Sequence, residues 1–328
     1  MDDRAWFVPS VILTVALGLV AWAMMPVAGF HSVPPYFSAF LNWMGAATAG
    51  AALILIARFI GLVVSKVPQP SAALLGELKE HARALSFVAA GVTLAGIDML
   101  FFMWIKPELA AVSPFWVDPY LAELDYIVFG TDPWRYFQGI SLESTAWVYN
   151  FIWPASILVT LLWIFAQPQS TQRSNSILSY FAIWSIFGPI GQFAFSGAGP
   201  IFYSRIGLGD RFAEMHSNIP WITNRIADYL WGQYSNNELG LAAGISAMPS
   251  LHVATVTWIV LSMWDHKSRA TPVALLFAIY IWGASVALGW HYASDGLAGV
   301  IGALVCHGLS RRYVEQYRAG ALGSVELA

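Results

Sequence analysis

The chain has 328 residues, of which 58% are hydrophobic and only 11% charged, and its formal net charge is −3. Soluble domains carry about 25% charged residues, so the composition excludes an ordinary water-soluble globule, and its 16 Trp and 20 Phe exclude a disordered chain. The small net charge does not favour a nucleic-acid partner, and the single cysteine, Cys306, excludes a disulfide framework or a multi-cysteine metal site. These features predict an all-α polytopic membrane protein.

Uncharged apolar runs of membrane-spanning length recur along the chain. A bilayer core about 30 Å thick needs roughly 20 mostly apolar residues per helix. Two of the runs contain a proline, Pro154 and Pro189, where we expect a kink. The runs predict a bundle of about eight transmembrane helices: Phe7–Met25, Ala39–Leu62, Ser86–Ile105, Ala146–Ala166, Ile177–Phe195, Ser250–Trp264, Pro272–Trp290 and Ser294–Leu309.

Basic residues predict the orientation of these spans, because Lys and Arg concentrate in cytoplasmic loops. Eight spans place both termini on one side, which carries eleven of the 16 basic residues. We therefore expect cytoplasmic termini and two long outward connections, Lys106–Thr145 and Ser196–Pro249, whose length suits them to carry function. The short linkers and the high Ala and Gly content favour a bacterial inner membrane, with the outward side in the periplasm. The five basic residues on that side are Lys106, Arg135, Arg205, Arg211 and Arg225.

A histidine and an aspartate lie four residues apart at the junction of the last two predicted spans, as His291 and Asp295. On a helix they share one face, and helical side chains lean toward the amino terminus, so Asp295 reaches back to the His291 ring. A carboxylate on one ring nitrogen fixes the tautomer and leaves the other nitrogen basic. The spacing predicts a nucleophilic or proton-transferring histidine. An interfacial pair that only satisfies a helix start is the alternative.

A serine and a second histidine, Ser250 and His252, follow Pro249 at the start of the sixth predicted span. Free backbone N–H groups and the positive end of the helix dipole make a helix start an anion site, and His252 is placed there to donate a proton. A serine N-cap with an incidental histidine is the simpler alternative for this cluster alone. The short turn Asp265–Thr271 predicts an antiparallel hairpin that brings this cluster level with His291.

Together these motifs resemble a known family. Pro249-Ser-Leu-His252, followed by Leu288-Gly-Trp-His-Tyr-Ala-Ser-Asp295, resembles the second and third signature motifs of the type 2 phosphatidic acid phosphatase superfamily, which also contains vanadium haloperoxidases. Their form is closer to the branch that includes inositol phosphorylceramide synthases, and Glu123-Leu-Asp-Tyr-Ile-Val-Phe-Gly-Thr-Asp-Pro133 is similar to the segment that precedes the core in that branch. The resemblance covers about Leu121 to Leu309.

The resemblance implies an enzyme that hydrolyses a membrane lipid phosphate, diphosphate or phosphodiester, or transfers its head group. His291 would be the nucleophile that forms a phosphohistidine, and Asp295 would orient and stabilise it. His252 would protonate the leaving alkoxide. Ser250 and backbone N–H groups such as that of Leu251 would hold phosphate oxygens. The scheme requires no metal and no cofactor.

Two positions depart from the family pattern. Six residues before His291 the broad family has an arginine, and this chain has Ser285. The first family motif begins with a lysine, and Ser196–Pro249 contains none.

The nearest counterpart of that first motif is Gly199-Pro-Ile-Phe-Tyr203-Ser-Arg205. Arg205 is therefore the candidate phosphate clamp, with Tyr203 beside it, because arginine binds phosphate oxygens bidentately. Arg211 and Arg225 compete for that role. An ordinary exposed loop arginine is the alternative for all three.

Other function classes use the same residues differently. Gly244-Ile-Ser246-Ala faintly resembles the nucleophile motif of an intramembrane serine protease, but Ala247 breaks that motif and Asp295 is left unused. A proton-coupled transporter predicts charges spread through the membrane depth, whereas here they collect at one face. Two histidines and a carboxylate also match a facial metal triad. A metal site there would leave the anion site at the helix start without a function. Within the favoured class, the acceptor stays open between water and the hydroxyl of a lipid or a sugar.

The predicted organisation has three parts. Residues 1–85 form a two-helix extension and a cytoplasmic linker, residues 86–310 form the phosphatase-like core of six helices, and residues 311–328 form a cytoplasmic tail. Asp98 lies in the middle of the third predicted span. We expect it to hydrogen-bond internally or to mark a conformational element.

Overall fold

The computed structural model describes residues 3–29 and 37–326, and the regular elements in those ranges are all helices, as the composition predicts. Short 3-10 turns at Pro133–Phe137 and Pro200–Phe202 lie in the connections. The helices are α1 (Arg4–Met24), α2 (Phe37–Val64), α3 (Pro70–Glu80), α4 (Ala82–Val112), α5 (Asp118–Phe129), α6 (Leu142–Ala166), α7 (Thr171–Ala194), α8 (Ala213–Asn218), α9 (Trp221–Ser235), α10 (Leu251–Asp265), α11 (Thr271–Ala287) and α12 (Ala293–Glu326).

Among the described residues, six helices are long and apolar enough to cross a membrane: α1, α2, α4, α6, α7 and α12. They coincide with six of the eight predicted spans, and they make this an integral membrane protein. The two remaining predicted spans form shorter helices, α10 with 15 residues and α11 with 17 residues. At about 1.5 Å per residue, neither reaches the roughly 20 residues that a bilayer core requires. α11 stops short of the predicted end at Trp290 because the chain turns at Gly289, where φ is 75°.

α6 and α7 each contain a π-helical turn just before a proline. In α6 the turn Val148–Ile152 precedes Pro154, and in α7 the turn Ile183–Phe187 precedes Pro189. Proline has no N–H and its ring collides with the carbonyl four residues earlier, so the preceding turn widens. The kink expected at each proline therefore coincides with a π-helical turn. Such turns are frequent near functional sites.

α10 and α12 approach each other closely at their first turns. A Cβ built on Gly299 of α12 would lie 2.4 Å from the backbone oxygen of Ser250, so only glycine permits this approach. The Ser250 N–H donates to the carbonyl of Asp295 at 3.2 Å. α7 packs on the other side, where a Cβ on Gly191 would lie 2.7 Å from the ring of Pro249. The start of α10 is therefore held between α12 and α7.

Asp98 of α4 hydrogen-bonds within the bundle. Its side chain is fully buried, and its Oδ1 accepts the hydroxyls of Thr14 on α1 at 3.0 Å and Ser185 on α7 at 2.6 Å. Polar groups buried in the bundle are stable only when they are paired. Asp98 thus joins three spanning helices through the two hydroxyls.

Candidate active site

The predicted nucleophile, His291, lies in the short connection between α11 and α12. The chain turns at Gly289, whose φ of 75° is a conformation that favours glycine. It then folds back so that the N–H groups of Trp290 and His291 both donate to the carbonyl of Ser285, at 3.0 and 3.2 Å. Ser285, where the family pattern has an arginine, therefore holds this connection through its backbone.

His291 and Asp295 lie side by side at the start of α12. Nδ1 of His291 is 3.4 Å from Oδ2 of Asp295, and the same oxygen accepts the N–H of Tyr292 at 2.9 Å. His291 is 4% exposed and Asp295 is fully buried. Because Nδ1 faces the carboxylate, Nε2 is the ring nitrogen that is directed away from it and is available to react.

His252, on the first turn of α10, is held between aromatic rings from α6. Its imidazole stacks on Tyr149 with the ring centroids 4.3 Å apart, and the centroid of Trp153 lies 3.9 Å away. Trp153 is itself fixed by a 3.0 Å hydrogen bond from its Nε1 to the hydroxyl of Thr255. The His252 and His291 rings are 5.7 Å apart. The fold therefore brings the two predicted histidines together, and it adds an aromatic clamp that the sequence pattern did not reveal.

Ser250 is the N-cap of α10. Its fully buried hydroxyl oxygen accepts the N–H of Val253 at 3.4 Å, and Leu251 is the first residue of the helix. The first N–H groups of a helix have no partner within it. That of Leu251 is among the groups predicted to hold phosphate oxygens, and it immediately precedes His252 in the first turn of the helix.

Arg205 and Tyr203, which the sequence predicts as phosphate-binding, are engaged elsewhere. The Arg205 guanidinium pairs with Asp228 of α9 at 2.5 Å. Tyr203 is 7% exposed, and burial raises the pKa of its hydroxyl. Within the described part of the chain, no hydrogen bond, ion pair or ring contact joins either side chain to His252 or His291. Neither side chain therefore contacts a histidine directly in those residues.

The two competing arginines are also occupied. Arg211 donates to the carboxylate of Asp132 and to the carbonyl of Ala122, both at 3.0 Å. Arg225 lies over the ring of Trp221, 5.6 Å from its centroid.

Asp125 of α5, for which the sequence motifs predict no role, caps the helix that carries Asp295. Its carboxylate accepts the N–H groups of Ala293 and Ser294 at 2.6 and 3.0 Å. These are orphan donors at the start of α12, so the bonds fix the position of that helix start. Burial raises the pKa of Asp125. The sequence feature that could have indicated this role is its position in Glu123–Pro133, which resembles the segment that precedes the core in one branch of the family.

Asp118, two turns earlier on α5, holds the other connection at the site. It accepts the N–H groups of Ala198 and Gly199, both at 2.8 Å, and the hydroxyl of Tyr292 at 3.0 Å. Burial raises its pKa as well. One carboxylate thus joins the connection after α7 to the connection that carries His291.

The two connections also touch directly. Gly199 has a φ of 95°, and a Cβ built on it would lie 2.4 Å from the carbonyl oxygen of Trp290. The N–H of Ile201 donates to the carbonyl of Gly289 at 2.8 Å. The predicted counterpart of the first family motif therefore supports the backbone of the His291 connection.

A cavity of about 540 Å³ opens close to the site. Trp134 lines it and also borders the small space beside His291 and Tyr292. The remaining lining is mixed, with polar side chains such as Gln138 and Glu143 beside aromatic ones.

The geometry also bears on two of the alternatives. Ser246 makes no hydrogen bond to a histidine in the described ranges, so the pairing that a serine protease requires is not present there. In those same ranges, no group of three His, Cys, Asp or Glu side chains is placed to hold a metal ion.

These features define a helical integral membrane protein with two facing histidines and a carboxylate at the adjoining starts of two helices. The family model described as the PAP2 superfamily matches residues 138–309. The chain belongs to the PAP2 superfamily, the type 2 phosphatidic acid phosphatase superfamily that its motifs resemble. Membership supports a phosphatase-type enzyme. No match is found to a curated protein or to a solved structure.

The matched residues contain α6 through most of α12, and with them His252, His291 and Asp295. They do not contain α4 or α5. Asp118 and Asp125 therefore act on the site from outside the matched region.

Proposed function

We propose that this protein transfers the phosphoryl group of a membrane lipid through a phosphohistidine on His291, at the outer face of the membrane. The substrate is a lipid phosphate, diphosphate or phosphodiester. One observation carries the proposal: the His252 ring lies 5.7 Å from the His291 ring, and Asp295 faces Nδ1 of His291. A nucleophile, its orienting carboxylate and a proton donor are thus within reach of one phosphorus atom.

In the first step Nε2 of His291 forms a bond to phosphorus, and the bond from phosphorus to the leaving oxygen breaks. The leaving oxygen takes the electron pair and receives a proton from His252. The imidazole of His291 becomes positively charged as the P–N bond forms, and the Asp295 carboxylate stabilises that charge. The N–H groups at the start of α10 donate to the phosphoryl oxygens.

In the second step an acceptor hydroxyl, from water, a lipid or a sugar, attacks phosphorus. Its proton passes to His252 as the P–N bond breaks, and both histidines return to their starting states. The two steps share one site and differ only in which oxygen occupies it. Removing one preorganised donor from such a site costs about 10² in rate or more.

The cavity beside Trp134 supports transfer to an organic acceptor as the second candidate function. It has a volume of about 540 Å³, polar and aromatic lining residues, and Trp134 in common with the small space beside His291. Water alone needs no such volume. Head-group transfer, as in inositol phosphorylceramide synthases, is therefore the second form of the reaction that we propose.

The proposal is tested with the purified full chain in detergent. We expect orthovanadate to inhibit turnover of labelled phosphatidic acid, polyprenyl diphosphate or phosphatidylinositol, and acid-labile phosphate to be trapped on the protein. His291→Ala should abolish both the trapped phosphate and turnover. The matched variant His81→Ala, at an exposed site on the predicted cytoplasmic side of the membrane, should retain both. A phosphoenzyme that forms without His291 would contradict the proposal, and so would a wild type unaffected by vanadate.

The outer-face placement has its own test. Single cysteines introduced into residues 205–218 should react with impermeant reagents from outside the cell, and cysteines in residues 66–79 should not. Supporting this are the eleven of 16 basic residues predicted on the side of the termini. The reverse pattern would move the site to the cytoplasm.

A further inference from the structure

We propose that α5 lies in the lipid leaflet next to the candidate site through an exposed apolar side, and that the membrane thereby holds in place the two carboxylates that support the site, Asp118 and Asp125. The contact of α5 with lipid does not depend on the proposed function, whereas its effect on turnover rests on that function.

α5 has two sides of different character. One side carries residues that are buried against the rest of the protein: Asp118, Leu121, Ala122 and Asp125. The opposite side carries apolar residues that are between 47% and 70% exposed: Tyr120, Leu124, Ile127 and Val128. The second set recurs at the spacing of one helix face. Glu123 borders this face and pairs with Arg211 at 3.6 Å, so the face itself carries no charge.

The start of α5 lies beside the ends of two spanning helices. Five residues separate the end of α4 at Val112 from the start of α5. The N–H of Trp116 donates to the carbonyl of Ser196, just after α7, at 3.0 Å. Ile190 and Phe193, near the end of α7, are exposed, and apolar side chains that a spanning helix exposes contact lipid tails. The exposed face of α5 therefore begins next to a surface that lipid covers.

Aromatic residues mark the beginning of this face. The rings of Trp116 and Tyr120 lie 6.1 Å apart, and both side chains are exposed. Trp and Tyr are enriched where a membrane meets water, because their rings have an apolar body and a polar group. A helix with an uncharged apolar face, a polar border and aromatic residues at its end is typical of a helix that lies in the lipid interface.

Lipid fits this face better than water or a second copy of the chain. A contiguous apolar face in water is unfavourable. A helix of 12 residues is about 18 Å long and about 10 Å across, so one side of it offers a few hundred Å². A specific protein interface needs about 800 Å² from each partner, which α5 alone does not supply.

The buried side of the same helix supports the candidate site. Asp125 accepts the N–H groups of Ala293 and Ser294, and Asp118 accepts those of Ala198 and Gly199. Because one short helix carries both sides, lipid contact on the exposed side fixes the carboxylates on the buried side. Asp118 and Asp125 are positioning residues, since they act on the site through backbone groups.

The first experiment measures where α5 lies. The full chain with Cys306→Ala is reconstituted into phosphatidylcholine vesicles with one nitroxide label, attached at Ile127→Cys, at Ile190→Cys on the spanning helix α7, or at Asp210→Cys in an exposed loop. We expect the label at 127 to behave like that at 190 and to collide more with oxygen, which concentrates in lipid, than with a water-soluble nickel chelate. The label at 210 should show the reverse.

Two results of this measurement would overturn the proposal. A label at 127 that behaves like the label at 210 would place α5 in water. A label at 127 that is shielded from both reagents would indicate that protein, such as a second copy of the chain, covers this face.

The second experiment tests the effect on the site with p-nitrophenyl phosphate, a water-soluble substrate that does not have to enter through lipid. Ile127→Glu in vesicles should lower turnover about tenfold, a loss comparable to that of one hydrogen bond, and the matched variant Ile127→Leu should retain the wild-type rate. Because both changes act through the same helix start, Ile127→Glu combined with Asp125→Ala should be little slower than Asp125→Ala alone. Unchanged turnover in Ile127→Glu, or losses that add fully, would overturn the proposal.

The two experiments also separate this inference from the proposed function. If vanadate inhibits the wild type and His291→Ala loses the phosphoenzyme while Ile127→Glu is unchanged, only this inference fails. If vanadate does not inhibit the wild type, the proposed function fails, and the label at 127 then decides the contact with lipid by itself.

Discussion

The carboxylate of Asp125 on α5 accepts the backbone N–H of Ser294 at 3.0 Å, at the start of the helix that carries Asp295. A residue outside the family-matched region thus fixes the start of α12, two residues after His291. Asp118 on the same helix holds the neighbouring connection. The candidate site is therefore held by hydrogen bonds from α5 as well as by the matched residues 138–309.

Substitution of Asp125 should loosen the site. Asp125→Ala leaves two buried N–H donors without an acceptor, which costs about 1–3 kcal/mol per group. We expect a lower melting temperature in detergent and turnover reduced at least tenfold, because His291 precedes the uncapped turn by only two residues. Asp210→Ala, at an exposed loop position, is the control and should melt like the wild type. Equal melting of the two variants would contradict a capping role.

The raised pKa of Asp125 predicts a pH dependence of stability. Because burial raises that pKa in the folded protein, the folded state binds more protons than the unfolded state between the ordinary aspartate pKa and the raised value. The free energy of unfolding therefore falls as the pH rises through that window and levels off above it. Melting temperatures measured across this range should show the wild type losing stability relative to Asp125→Asn. A difference that does not change with pH would argue against the effect.

Asp295→Asn should separate electrostatics from folding. The amide keeps the size of the side chain but removes the charge that faces Nδ1 of His291 and permits the wrong tautomer. We expect turnover to fall by at least about 10², with little change in melting temperature. Turnover and thermal melts on the same preparation test this. Retention of more than a tenth of the wild-type rate would remove Asp295 from the proposed mechanism.

His252→Ala should slow the reaction most for substrates with poor leaving groups. A general acid matters most when the leaving alkoxide is basic, so an alkyl phosphate ester should lose more rate than a matched aryl ester. Trp153→Leu should change the ratio in the same direction by a smaller factor, because it removes one wall of the clamp around the imidazole. Equal losses for the two esters would indicate that His252 is not the proton donor.

Gly199→Ala should damage the site through the backbone. The added Cβ would lie 2.4 Å from the Trp290 carbonyl oxygen, and φ at this position is 95°. Strain at such a position costs about 1–3 kcal/mol, and relief of the clash displaces the connection that carries His291. We expect turnover to fall more than stability, whereas Gly207→Ala, which has a positive φ but open space around it, should lose stability alone. Comparison of kcat and Tm for both variants provides the measurement.

The amino-acid sequence was sufficient to predict the membrane class, six of the spanning helices, the family and the four-residue pairing of His291 with Asp295. These follow from composition, run length and spacing along a single helix, which are local properties that the chain displays directly. Run length predicted the other two spans less well, because they form the shorter helices α10 and α11.

The tertiary structure was needed to learn which residues surround the histidines. Tyr149 and Trp153 come from α6 and Asp125 from α5, each more than 90 residues from the group it meets. It also decided that Arg205, which the motif predicted as the phosphate clamp, pairs with Asp228. Contacts between distant segments depend on how the helices pack, through close approaches such as that of Gly299 to Ser250, and no periodicity within one segment encodes them.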